Sequence, residues 1–146
     1  MRRPPPAAVQ ARLDEEVARK LGDFNAQGLS NTLWAFASMG RPPAAELQAR
    51  LEHEVARKLG DFNAQNLSNT LWAFATMGRP PTAELHARFE HELARKLGDL
   101  NALDVQQVLR AYILLELVPS GQVHALLDAR VRELNRALLG DKSRSR

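Results

Sequence analysis

The segment LGDFNAQGLSNTLWAFASMGRPP (Leu21–Pro43) returns as LGDFNAQNLSNTLWAFATMGRPP (Leu59–Pro81), and in weakened form as LGDLNALDVQQVLRAYILLELVP from Leu97. The offset is 38 residues each time. A constant period of this size marks a repeat array, whose units bury their apolar faces against one another and not in a central globule. The units are 1–38, 39–76 and 77–114, and the first two are identical at 30 of 38 positions. Met1, Met39 and Met77 share one repeat position, so MRRPPPAAVQARL reads as the start of a unit and not as a presequence. The expectation is a piece of a longer array.

Each unit reads as two helices. In helix A, Leu47, Leu51, Val55 and Leu59 recur at every fourth residue, the spacing of an amphipathic stripe. Pro4–Pro5, Pro42–Pro43 and Pro80–Pro81 are placed in the first turn, where proline is tolerated. Gly22, Gly60 and Gly98 are expected to stop helix A in a left-handed conformation. Asn25, Asn63 and Asn101 then cap helix B. Phe24, Phe62 and Leu100 staple onto Leu29, Leu67 and Val105. Gly40 and Gly78 end helix B. There is neither period-two alternation nor a hairpin dipeptide to support a sheet. The fold expected is all-α: αα-hairpins stacked as an α-solenoid of about seven helices. Residues 115–139 form a divergent capping helix, about Gln122–Leu139, that hides the last apolar face. Residues 140–146 form a disordered basic tail.

Composition restricts the chemistry. There is no cysteine, which excludes disulfides and thiolate metal sites. Net charge is +3 from 20 basic and 17 acidic residues, a mixed surface with a slight lean towards a polyanion. No apolar run is long enough to cross a membrane. His53, His86, His91 and His124 lie on polar stretches of helix A and read as solvent-facing. Glycines read as helix stops, not as a phosphate loop. No catalytic constellation, metal, cofactor or small-molecule substrate is expected, and the chain is read as a binding protein, not an enzyme.

Two sets of positions are candidates for binding. Opposite the apolar centre of helix B lie residues 27, 28, 31 and 38 and their repeats. The candidates there are Gly28, Asn66 and Asp104, which vary between copies, and Asn31, Asn69 and Gln107, whose amides can pair with base edges. The bland alternative has the asparagines bonding an adjoining turn and residue 28 as a tolerant first-turn site. The second set is a basic pair per unit, Arg19–Lys20, Arg57–Lys58 and Arg95–Lys96. It suits one phosphate per unit, and it equally suits helix dipoles and ion pairs. Trp34 and Trp72 can stack on bases, but beside Leu33, Phe36 and their repeats they are assigned to the core.

A 38-residue αα unit with a Pro-Pro start, F-N-A-Q-x-L-S-N-T-L-W-A-F-A and a following M-G resembles the octotricopeptide repeat and its relatives in FASTK/RAP-domain and RNA-editing-complex proteins. That resemblance implies binding of single-stranded RNA in a mitochondrion or chloroplast, acting in transcript stability, processing or translation. A protein-interaction scaffold of the same shape is the alternative, since helical arrays present curved surfaces to proteins too.

Overall fold

The period becomes three helical hairpins and one further helix. Helices α1 (Ala7–Lys20), α3 (Ala45–Lys58) and α5 (Ala83–Lys96) are the A helices of successive units; α2 (Ala26–Met39), α4 (Ala64–Met77) and α6 (Ala102–Leu114) are the B helices. α7 (Gly121–Arg144) takes the A position of a fourth unit. The structure is a computed structural model that describes residues 6–144, with side chains through Gly140. The chain is the all-α stack expected, and no strand occurs among the described residues. α7 continues past Leu139 to Arg144, because no proline or turn sequence interrupts it. Of the expected tail, Ser145 and Arg146 lie outside the described residues, as do Pro4 and Pro5.

The joints differ in detail from their sequence reading. Each A helix tightens into a 3₁₀ turn (Leu21–Asp23, Leu59–Asp61, Leu97–Asp99). Gly22, Gly60 and Gly98 sit inside these turns without a positive φ. The turn stays right-handed, and the Phe62 N–H closes it on the Leu59 carbonyl at 3.0 Å, so no left-handed residue is needed. The left-handed stops are Gly40 (φ 70°) and Gly78 (φ 67°), at the ends of α2 and α4. The prolines lie before the N-caps Ala44 and Thr82, not in the first turn. Their fixed φ holds the entering chain extended. The asparagine caps are present: the side chains of Asn25, Asn63 and Asn101 accept from the N–H groups of Gly28, Asn66 and Asp104 at 2.8, 2.7 and 2.8 Å.

The B helices pack closely in a row, α2 on α4 on α6, whereas consecutive A helices scarcely touch. The B row is the tighter one, and its side turned away from the A helices is the inner face. Leu33, Phe36, Leu51, Phe62, Leu71, Phe74 and Phe89 are buried between the layers. Each such side chain contributes roughly 1.5–3 kcal/mol of hydrophobic burial.

Two polar clasps tie each unit to the next. A carboxylate on helix A receives the N–H at the start of the next A helix. The pairs are Asp14–Ala44 (3.3 Å), Glu52–Thr82 (3.3 Å) and Glu90–Ser120 (2.8 Å). Anions are favoured at that helix end. At the other end, Lys58 Nζ donates to the Gly22 and Phe24 carbonyls, and Lys96 Nζ to those of Gly60 and Phe62. In α7 the lysine position is Leu134. Arg130, one turn earlier, donates Nε to the Leu100 carbonyl at 2.9 Å in its place. The same carbonyl of each unit is thus held by a cation from the next.

Candidate functional site

α4 has A helices behind it and a B helix on either side, which leaves one side free, and the matching side of α2 and α6 is free as well. At 100° per residue, positions 27, 31, 34 and 38 fall within about 60° of arc on that side. On α2 these are Gln27, Asn31, Trp34 and Ser38, all exposed. On α4 they are Gln65, Asn69, Trp72 and Thr76, exposed or half-buried. On α6 they are Leu103, Gln107, Arg110 and Leu114. Rows of like residues therefore run across the inner face at one per unit: an amide row (Asn31, Asn69, Gln107) and an aromatic row (Trp34, Trp72) that ends in Arg110. The Arg110 guanidinium stands 6.0 Å from the Trp72 ring centroid, within cation–π range.

This corrects the assignment of the tryptophans to the core. Trp34 is 40% exposed and Trp72 half-buried. Residue 34 lies about 160° around the helix from Phe36, which fills the core. Adjacency in sequence to Leu33 concealed that angle. The amides are on the open face as expected. Gln27 Nε2 donates to Asn31 Oδ1 at 3.4 Å, and Gln107 Oε1 accepts from Ser68 at 3.3 Å.

Position 28 is also corrected. It lies about 120° from position 34, on the side facing the preceding B helix. Asn66 and Asp104 are only 5% and 6% exposed. Asp104 closes a capping box on the Asn101 N–H (3.1 Å) and accepts from Ser68 Oγ of the neighbouring helix (3.2 Å). Gly28 is half-buried against Phe24 and Asn25. Asn66 and Asp104 thus sit in helix-to-helix seams and Gly28 lies against Phe24 and Asn25 of its own unit, so these three residues leave the binding set.

Of the basic pairs of helix A, Lys58 and Lys96 reach the edge of the inner face, where they line grooves with Gln27 and Gln65. Lys58 and Lys96 are committed to the clasps described above. Arg19, Arg57 and Arg95 pair with Glu16, Glu54 and Glu92 at 2.6, 2.9 and 2.9 Å. The bond from Arg57 holds the Glu54 carboxyl below its ordinary range. Burial pushes Glu92 upward, but bonds from Lys96 and Arg95 outweigh it and the net shift is downward. Lys20 is exposed at the end of α1. Asp23, Asp61 and Asp99 line the grooves at the amino-terminal edge of the B row, beside Lys58 and Lys96. Arg110 is therefore the one cation among the twelve residues of the open rows. Such a face can stack planar rings and bond their edges, and it offers little to phosphates.

His53, His91 and His124 are solvent-facing, but His86 is not. Its Nε2 lies 3.1 Å from the Tyr112 hydroxyl, which donates to Glu90 at 3.1 Å, and the rings meet edge-on at 5.5 Å. Tyr112 occupies the place of Phe36 and Phe74, and its hydroxyl recruits the histidine; burial pushes the Tyr112 hydroxyl pKa upward. Among the described residues no group of three or more histidines and carboxylates is placed to hold a metal ion, and no helix is long and apolar enough to cross a membrane.

With two hairpins and their open rows in view, the family can be placed. The family model described as the N-terminal domain of the Tbc2 translation factor matches residues 6–87. The chain belongs to this family. The match runs from the start of α1 into α5 and takes in both tryptophans and both asparagines of the open face. α6 and α7 lie beyond it. No curated protein matches the chain.

Proposed function

We propose that the protein is a non-enzymatic, single-stranded RNA-binding solenoid of octotricopeptide type, acting in organellar RNA metabolism in a mitochondrion or chloroplast through transcript stability, processing or translation. The observation that carries the reading is the paired row on the inner face: Asn31 with Trp34, Asn69 with Trp72, Gln107 with Arg110. Each unit offers one flat group and one amide. Unstacked bases are recognised by that combination, stacking on aromatic or guanidinium planes and hydrogen bonding at their edges. Membership of a translation-factor domain family supports an RNA-related role. The near-neutral face makes binding depend on bases more than on phosphates.

The test is an anisotropy titration with a labelled, unstructured RNA and with the same sequence as a duplex. The reading expects saturable binding of the single strand, loss with the duplex, and a shallow salt slope of roughly −1, the slope of one or two phosphate contacts on a single strand. Equal binding of both forms, or none, refutes it. One observation favours a second reading, a scaffold for protein partners. The third unit replaces Gln27 and Ser38 by Leu103 and Leu114, which are 62% and 57% exposed, so the face turns apolar at that end.

A further inference from the structure

The three places of the open rows are not alike. Trp34 and Trp72 present ring faces whose one polar atom is an indole N–H. Arg110 stands at the same repeat position and is likewise exposed. Its planar guanidinium carries N–H donors along its edge and no acceptor. Those donors are unspent. No carboxylate lies three or four residues from Arg110 on α6, whereas Arg19, Arg57, Arg95 and Arg132 each pair with one at that spacing. Its guanidinium is placed instead by the Trp72 ring of the preceding unit, 6.0 Å from the centroid. An arginine is thus kept on the open face by an aromatic contact that leaves its hydrogen-bonding edge free. Along α6 it is flanked by Leu103 and Leu114, where the first unit has Gln27 and Ser38 and the second Gln65 and Thr76. Polar recognition at the third place therefore falls to Arg110 and Gln107.

A group that only donates selects a base edge that only accepts. Guanine presents two adjoining acceptors, O6 and N7, and takes a guanidinium bidentately. Adenine sets an amino group beside N7, which turns one of those contacts into donor against donor. Uracil separates its two carbonyls by an N–H. Cytosine adjoins O2 to N3, but on a smaller ring that stacks less well. The Asn31 and Asn69 amides each carry both donor and acceptor and impose no such demand. We infer, resting on the RNA reading above, that Arg110 makes the α6 end of the row selective for guanine, whose O6 and N7 accept from the guanidinium. The two tryptophan places stay tolerant of base identity, because every base has a π-face.

The test titrates the full chain into labelled oligouridine and into the same strand carrying a single guanosine, adenosine or cytidine, read by fluorescence anisotropy. The expected result is binding of every strand, with a preference of roughly tenfold or more for the guanosine strand, the discrimination of one bidentate pair. Replacing that guanosine by 7-deazaguanosine, which removes N7 and keeps the ring and the pairing edge, abolishes the preference. Arg110→Trp installs the residue of the first two units at an exposed position, so the helical circular dichroism is unchanged. In that variant the ratio of guanosine-strand to oligouridine affinity falls to near one, whatever becomes of either affinity alone. A merely structural role for Arg110 would lower both affinities together and keep the ratio. Failure to bind any single strand refutes the RNA reading, and this proposal with it. Binding of all strands without a guanine preference, a preference that survives 7-deazaguanosine or Arg110→Trp, or a preference for adenosine or cytidine overturns this proposal alone and leaves the RNA reading standing.

Discussion

Lys96→Met breaks a joint between units without disturbing the apolar core. The Lys96 ammonium bonds two carbonyls of the preceding unit, Gly60 and Phe62, and sits 3.1 Å from Glu92; its side chain is 19% exposed. A hydrogen bond from a charged group contributes roughly 1.5–3 kcal/mol. The two bonds share one ammonium, the Gly60 carbonyl can return to water, and a site one-fifth exposed is partly screened. Glu92 keeps Arg95 as a partner. The expected loss is therefore about 2 kcal/mol, not twice that. Urea denaturation followed by circular dichroism measures it. The control is Lys20→Met, the same repeat position, whose amine donates no hydrogen bond among the described residues; its loss is expected below about 0.5 kcal/mol, as for an ordinary surface change. If the two variants lose equal stability, the lysine is a helix-end charge and not a clasp, and the reasoning fails.

Other consequences follow from single positions. Thr70 is fully buried with its hydroxyl unpartnered, and Val108 fills the same seat one unit later; Thr70→Val is expected to raise stability by about 1 kcal/mol in the same denaturation assay. Gly78→Ala costs about 1 kcal/mol because its φ is positive, whereas Gly60→Ala, with open space around a new Cβ, is neutral or stabilising. Glu54 and Glu92 have carboxyls depressed below 4.5 in the folded chain. Their stabilisation is complete above the unfolded value and is lost as pH falls through the folded one, so thermal melts should drop below about pH 4.5, and Glu92→Gln should flatten that drop.

Much of the architecture is legible in the repeats, because the features that set it are local. Asn63 caps, Phe62 is buried beside Leu67, and Gly78 stops helix B, each through residues within a turn of itself. What depends on a third dimension was misplaced. Trp72 and Asn66 exchange roles between core and surface, since telling them apart requires knowing which three sides of a B helix are occupied. The signal was present in the angles: position 34 stands opposite Phe36, and position 28 stands well away from it towards a flank. The clasp of Lys58 was invisible for a different reason. Its partners lie 36 and 34 residues away, and a basic residue ending a helix already has a local explanation. Ile113 of α6 is 73% exposed, because α7 takes an A position and leaves this edge of α6 open, contrary to its reading as a cap.

Stacking of bases on the inner face of the B row would be felt first by its two indole rings. The protein has two tryptophans, and both lie in the open row. Intrinsic fluorescence during titration with single-stranded RNA therefore reports on the site directly. Stacking on both rings predicts saturable quenching with the same midpoint as binding, and a loss of affinity of at least roughly 30-fold in Trp34→Ala/Trp72→Ala, at about 1–3 kcal/mol for each of two stacked bases. RNA binding that leaves the tryptophan emission and the double variant's affinity unchanged would contradict it.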